Sequence, residues 1–299
     1  MYNKSQSRII IIGGSGLIGS NLEKTLRREQ FQVVSTYNKN KLSGMINFDI
    51  VKDNINNSIL DIKENDIIII LAAYSNPGWI SKNQEKAHEL NVTATKKLID
   101  DLKPKGCKIC FMSSVEIFDG EEDCITEISI PNPLNTYGKT KFLIEKYLKE
   151  NCNNFQIFRT GWNVGIDKSS RCVVTLTYET LLRPDAKMAK DNTFTVTHVD
   201  DLANNLVKFL FKKDKIVHLS SQQIISRTQL ANLIIKTSKN KKKMGYSTTS
   251  FSQIPYSEKR SRKNNLNSII MNSDDISKFR SAETTIKEKI KFLDNTNFS

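Results

Sequence analysis

Long apolar runs are missing from this chain. The longest, Ile67 to Ala73, holds seven residues, far fewer than the roughly 20 that a membrane-spanning helix needs. A spanning helix is excluded, and no membrane partner is expected. Histidine is scarce, at three residues, and the five cysteines (Cys107, Cys110, Cys124, Cys152 and Cys172) do not form a metal-ligand set. Cys107 and Cys110 have Cys-x-x-Cys spacing but fall in a strand pattern, where positions i and i+3 point to opposite faces. No second Cys/His pair accompanies them, so a zinc site is not expected. All five read as reduced thiols, which suits a cytoplasmic protein. The first strand pattern starts at Arg8, which leaves no room for a signal peptide. No internal repeat, long linker or nucleic-acid recognition motif is present. The formal charge of +13 therefore reads either as lysine-rich solubility or as a positive field around an anionic substrate, with no nucleic-acid partner.

What is present alternates. Strand patterns fall at 8–13, 31–36, 45–49, 66–72, 107–113, 155–160 and near 215–219, and helical patterns at 16–29, 81–102 and 136–150. Strands alternating with helices predict an α/β protein with a doubly wound parallel sheet, the Rossmann architecture. The periodicity weakens after about residue 166. Residues 1–165 with about 195–219 are expected to form the nucleotide-binding domain, and 166–194 with 220–299 a smaller mixed C-terminal lobe that binds substrate.

Ligands of such a sheet collect at the carboxyl ends of its strands. The glycine loop, Leu71-Ala72-Ala73, Ser113-Ser114 and Thr160-Gly161 all fall there. In the loop, Gly13, Gly16 and Gly19 follow a strand and open a helix through Ser15, Leu17 and Ile18. Such glycines permit a tight turn and close approach of a diphosphate to the helix start. Further on, Tyr137 and Lys141 stand four residues apart, which stacks a phenol and an ammonium on one helix face. A nearby lysine cation favours the phenolate, so Lys141 is expected to lower the Tyr137 pKa. At the end of the second strand, Ser35 to Lys41 holds no acid that would oppose a ribose 2′-phosphate. Lys39 there either attracts that phosphate or is a solvated loop lysine.

These residues together resemble the extended short-chain dehydrogenase/reductase family. Within it the chain is most similar to dTDP-4-dehydrorhamnose reductases and their sugar-nucleotide relatives, over residue 8 to about 210. Ser113-Ser114-Val115-Glu116-Ile117-Phe118-Asp119-Gly120 resembles that group's Ser-Thr-Asp-Tyr-Val-Phe-Asp-Gly, and Pro133 to Lys141 its Pro-Leu-x-x-Tyr-Gly-x-x-Lys. Arg159-Thr160-Gly161-Trp162 resembles its Arg-Thr-Ser-Trp, and Arg262 to Asn265 faintly resembles its Arg-Pro-x-Asn, with Lys263 in place of the proline.

The resemblance implies an NADPH-dependent reductase of a nucleotide-activated 4-keto-6-deoxy sugar, with NADP favoured over NAD. Ser114, Tyr137 and Lys141 would be catalytic. Asp49 with Ile50 would meet the adenine, and Asn91 would be the central-helix asparagine. Glu116, Trp162 and Arg262 would face the sugar. Val115 cannot supply the acid that related dehydratases carry there. Glu116 reads either as a proton-abstracting group or as a solvated loop carboxylate, and Trp162 as a sugar wall or a core residue. An epimerase and a non-catalytic NADP-binding regulatory subunit are the alternatives. The oligomeric state is not fixed by the sequence; a homodimer is compatible with it.

Overall fold

The computed structural model describes residues 7–59, 61–167 and 172–296; positions 168–171 of the expected 166–194 segment lie outside them. Seven parallel strands form the main sheet: β1 (Arg8–Ile12), β2 (Gln32–Tyr37), β3 (Ile46–Asn47), β4 (Ile67–Ile70), β5 (Lys108–Ser114), β6 (Phe155–Thr160) and β10 (Ile216–Leu219). Their order is β10-β6-β5-β4-β1-β2-β3. All seven expected strands are there, within a few residues of their predicted bounds.

Isoleucine runs make the centre of this sheet. Ile10, Ile12, Ile68 and Ile70 face one core cluster, and Ile9, Ile11, Ile67 and Ile69 face the other. A strand buried on both faces has no polar alternation to show, which is why β1 and β4 read as continuous apolar runs. Each buried isoleucine contributes roughly 1.5–3 kcal/mol. Cys107 lies in the first cluster and Cys110 in the second, on opposite sides as their spacing predicts.

The strand order reverses between β1 and β4. One branch runs outward through β2, the other through β5, and a crevice opens at the carboxyl ends where they part. Gly13 and Leu71 follow β1 and β4 at that point.

A second, four-stranded sheet is built on β9 (Thr193–His198), which pairs antiparallel with β11 (Ile224–Ser226). β7 (Trp162–Val164) and β13 (Lys263–Asn264) pair with different halves of β9. β8 (Lys187–Ala189) pairs with β12 (Ser247–Thr249) in a two-stranded sheet. β7 and β9 thus belong to the second sheet, and the chain returns to the main core with the Val199–Leu210 helix. Among the described residues, no helix is long and apolar enough to cross a membrane.

The helix expected over 81–102 is interrupted. It runs as Gln84–His88, a wider π turn at Glu89–Ala94, and Thr95–Leu102. Asn91 lies in the π turn, buried against the loop after β4.

Candidate functional site

Three adjoining cavities line the carboxyl edge of the sheet. The first, about 230 Å³, lies between Thr36 to Asn40, Phe48, Ile50 and Leu71 to Tyr74. The second, about 360 Å³, is walled by the glycine loop, Met112 to Glu116, Tyr137 and Lys141. The third, about 290 Å³, lies in the smaller lobe among Thr177, Met188, Asn192, Arg227, Phe251 and Tyr256. The first two share Gly13, Gly16, Leu71 and Ala73. The last two share Glu116, Trp162 and Arg260. The walls are thus continuous from Lys39 to Tyr256.

The glycine loop is held by its own backbone. Gly13 has φ +90°, a left-handed conformation that a side chain would strain, and a Cβ there would come 2.8 Å from the Ala72 nitrogen. The Gly13 N–H donates to Thr36 Oγ1 at 3.0 Å, which ties the loop to the end of β2. Gly16 is the N-cap of the Leu17–Arg28 helix and has no side chain to satisfy its first turn. Those first-turn N–H groups have no intrahelical acceptor and suit an anion. Leu17, Ile18 and Gly19 line the second cavity and Ser15 the first; Leu22 and Leu26 are the members of that helix fully in the core.

Ser114 ends β5, and Tyr137 and Lys141 occupy the first two turns of the Thr136–Asn151 helix. Asn135 caps that helix by accepting the Gly138 N–H at 2.9 Å. A Cβ at Gly138 would lie 2.0 Å from the Glu116 carbonyl oxygen, so only glycine lets the helix seat against the Val115–Ile117 turn. Deeper in, Arg159 and Glu145 form a buried two-pronged ion pair at 2.9 and 2.7 Å, which pins the same helix to β6.

The Tyr137 phenol is pushed above its ordinary pKa, first by burial and then by the negative charge of Glu116, while a hydrogen bond with Ser114 pulls it back. This corrects the expectation that Lys141 brings the phenol down. Lys141 is only 4% exposed, its Nζ donates to the Met112 carbonyl at 2.9 Å, and burial lowers its own pKa to about 7. With its pKa brought down to about 7, Lys141 is only partly charged at neutral pH. The phenol is kept in its protonated form, the form that can donate.

Glu116 is not a solvated loop carboxylate. It is 7% exposed, accepts from Asn135 Nδ2 at 2.6 Å, and donates its own N–H to Ser114 Oγ at 3.2 Å. Trp162 combines both readings left open for it: its ring lies 6.0 Å from Phe194 at the edge of the lobe core and also walls two cavities. Lys39 lines the first cavity.

Three of the expected contact residues also make contacts within the chain. Asp49 turns its carboxylate onto the Val51 N–H at 3.0 Å, and its neighbours Phe48 and Ile50 form the cavity wall. Asn91 bonds both the N–H and the carbonyl of Tyr74, at 2.8 and 2.9 Å, so it shapes the loop after β4 from behind. Arg262 points toward Asp191 at 3.9 Å, and Arg260 takes the place at the cavity. Arg262 lies where the chain joins β13, its carbonyl taken by Thr193 N–H, and this turns its side chain away.

Arg227 has no signal in the sequence beyond following the Ser226 helix cap. Its guanidinium donates to Thr177 Oγ1 at 3.1 Å and lies 4.8 Å from the Phe194 ring centroid. Arg260 lies 5.3 Å from the Tyr256 ring. Among the described residues neither arginine forms an ion pair, and Glu116 is the acidic residue on the third cavity's wall with them.

A doubly wound sheet with a glycine loop at its switch point, and with a serine, tyrosine and lysine around the adjoining cleft, defines an extended short-chain dehydrogenase/reductase. Within that class the chain belongs to the family described as RmlD substrate binding domain, whose model matches residues 7–294. Its sequence is 26% identical over 204 residues to methionine adenosyltransferase 2 subunit beta of Bos taurus, covering 67% of this chain and 61% of that relative. The match thus spans about six tenths of that relative's length, 61%. It is 34% identical over 98 residues to dTDP-4-dehydrorhamnose reductase of Salmonella typhimurium, covering 32% of this chain and 33% of the relative. Its fold matches a dTDP-4-dehydrorhamnose reductase from Bacillus anthracis, solved in complex with NADP, with a TM-score of 0.74 at 22% identity over 97% of this chain and 99% of the other.

Proposed function

We propose that the protein is an NADPH-dependent reductase of the keto group of a nucleotide-activated 4-keto-6-deoxy sugar. The observation that carries this reading is the continuous wall from the glycine loop, past Ser114 and Tyr137, to two arginines that form no ion pair among the described residues. A reductase of such a substrate needs a dinucleotide seat, a proton donor beside the keto group, and cations for the diphosphate of the sugar, in that order along one cleft.

The residues fit NADP. The first turn after Gly16 offers amides to a diphosphate, Phe48 and Ile50 wall an apolar slot, and Lys39 lies beside it where an acid would repel a 2′-phosphate. When bound, the reduced cofactor supplies the hydride. Tyr137 gives its phenolic proton to the oxygen that becomes a hydroxyl. Ser114 Oγ accepts the Glu116 N–H, which leaves its own hydrogen to donate to the same oxygen and stabilise its growing charge. Lys141 holds the nicotinamide ribose. Trp162 walls the sugar, and Arg227 and Arg260 bind its diphosphate.

A second reading, a non-catalytic NADP-binding subunit, is favoured by the likeness to methionine adenosyltransferase 2 subunit beta. Absorbance of NADPH in the presence of a nucleoside-diphospho-4-keto-6-deoxyglucose separates the two. The reductase oxidises NADPH in proportion to sugar reduced. A subunit binds NADPH, and more tightly than NADH, yet consumes none with any keto sugar offered.

A further inference from the structure

One wall of the third cavity is a single loop. Phe251, Ile254, Tyr256 and Arg260 line that cavity, and Arg260 lines the second as well. The loop joins β12 to β13, and both of its ends are pinned. At the front, the Phe251 N–H donates to Asp191 Oδ1 at 2.7 Å. At the back, Ser261 is buried and its Oγ donates to the Phe118 carbonyl at 2.6 Å. The Arg262 carbonyl accepts from the Thr193 N–H and the Asn192 amide. Between these pins, the hydrogen bonds of Ser252 to Arg260 that reach beyond Thr249–Phe251 are, among the described residues, both made by the Glu258 side chain.

Glu258 accepts the Thr136 N–H at 3.2 Å and the Thr136 hydroxyl at 2.5 Å. Thr136 opens the helix that carries Tyr137 and Lys141, and its N–H is one of the first-turn donors that lack an intrahelical acceptor. Asn135 takes the Gly138 N–H of the same turn, so the two side chains divide the helix start between them. A carboxylate suits this end, through the helix dipole and through charge-assisted hydrogen bonds. Glu258 is itself half-buried, and Ser257 and Lys259 on either side are exposed. The Tyr256 ring lies 5.3 Å from Phe251, and the Arg260 guanidinium 5.3 Å from Tyr256. The loop thus carries an aromatic and cationic group into the cavity wall, and one carboxylate ties its middle to the rest of the chain.

We propose that Glu258 is a positioning residue: by bonding Thr136 it latches this loop over the third cavity and sets Tyr256 and Arg260 against the nucleotide end of the bound substrate. This rests on the reading of that cavity as the seat of the diphosphate. Glu258 is not part of either cavity's wall, so it acts through the loop. Thr136 adjoins Tyr137, so the same two bonds tie the loop to the helix that holds the proton donor. The closed loop and that helix therefore share one position. Release of the latch frees the middle of the loop between its two pins, and the glycine-loop end of the cleft is left as it was.

The test reads the loop and the ligand separately. Trypsin cuts after Lys259 and Arg260, inside the loop, and after Lys241, Lys242 and Lys243, on an exposed turn that serves as the control. Thr136→Val removes the hydroxyl and leaves the cut sequence untouched; Thr136→Ser keeps the hydroxyl. Without ligand, Thr136→Val should hasten cleavage after Lys259 and Arg260 about 10-fold, the worth of one charge-assisted hydrogen bond. Cleavage at the control turn should not change, and Thr136→Ser should behave as the unmodified protein. Titration with uridine diphosphate and thymidine diphosphate should show about 10-fold weaker binding by Thr136→Val and by Glu258→Gln, with the melting-temperature rise caused by NADPH unchanged. A contact that only capped the helix would lower the melting temperature and move neither the cleavage of the loop nor the nucleotide affinity; that result overturns the proposal. If the unmodified protein binds a nucleotide and both variants bind it equally well, the reading of the third cavity stands and the positioning role falls. If the unmodified protein binds neither nucleotide, that reading falls and the positioning role with it.

Discussion

The two ends of the cleft are made of different materials. At the glycine-loop end, main chain does the work: Gly13 closes on Ala72, and the first helical turn after Gly16 presents amides. At the lobe end, side chains do it: Arg227, at the start of one helix, meets Tyr256 and Arg260 from a later loop beside the second sheet. A main-chain site demands glycine at fixed spacing and leaves a mark in the sequence. A side-chain site demands only that distant residues meet, which leaves no fixed spacing to read.

That contrast can be broken one end at a time. Gly16→Val has the largest expected effect. Gly16 has φ −75°, and the nearest atom to an added Cβ is the Gly13 oxygen at 3.4 Å, so the fold tolerates the change while the branched side chain fills the diphosphate's space. Titration should show no NADPH binding by a protein with a normal melting curve. Tyr137→Phe comes next: it keeps the ring and removes the proton, and kcat should fall by about 10²–10⁴, with NADPH affinity nearly unchanged. At the other end, Arg227→Met should raise KM for the sugar nucleotide about 10- to 100-fold, the worth of a charged hydrogen bond, and leave NADPH binding alone. If it weakens NADPH equally, the two ends are not separate sites.

The smallest effect is a pH slope. The folded Lys141 pKa is about 7 against an ordinary 10.5. Below pH 7 both folded and unfolded chains carry the charge, and the folded state bears the full penalty of burying it. Between pH 7 and about 10.5 the unfolded chain binds more protons, so stability rises with pH. Lys141→Met removes this contribution. Urea melts should show the variant's advantage from this source greatest near pH 6 and shrinking toward pH 10; a constant difference would mean that Lys141 does not titrate in this window.

The sequence made the main sheet readable because its strands are apolar on both faces and its turns need glycine. Ser114, Tyr137 and Lys141 were readable for a related reason: a strand end and one helix face bring them together with little help from elsewhere. Asn91 was readable as a position but not as a clamp on Tyr74, which depends on a π turn that apolar spacing does not signal. Ile50, expected with Asp49 beside the adenine, lines the first cavity with Phe48, while the local turn that the Asp49 carboxylate closes has no signal in the apolar spacing. The phenol's rise was hidden for another reason. Four-residue spacing puts Lys141 near Tyr137 but says nothing of its desolvation or of Glu116. Arg227 has no local pattern, and only the tertiary fold supplies its meaning.

The central claim is that a hydride passes from the cofactor to the keto carbon of the sugar beside Tyr137, where the two ends of the cleft meet. NADPH deuterated at both positions of nicotinamide C4, given with a nucleoside-diphospho-4-keto-6-deoxyglucose, tests it directly by mass spectrometry of the sugar. The account predicts one deuterium on the former keto carbon of each sugar reduced, and none in the same time with Tyr137→Phe. Label that stays on the cofactor while the sugar keeps its keto group, with the protein folded and NADPH bound, would contradict it.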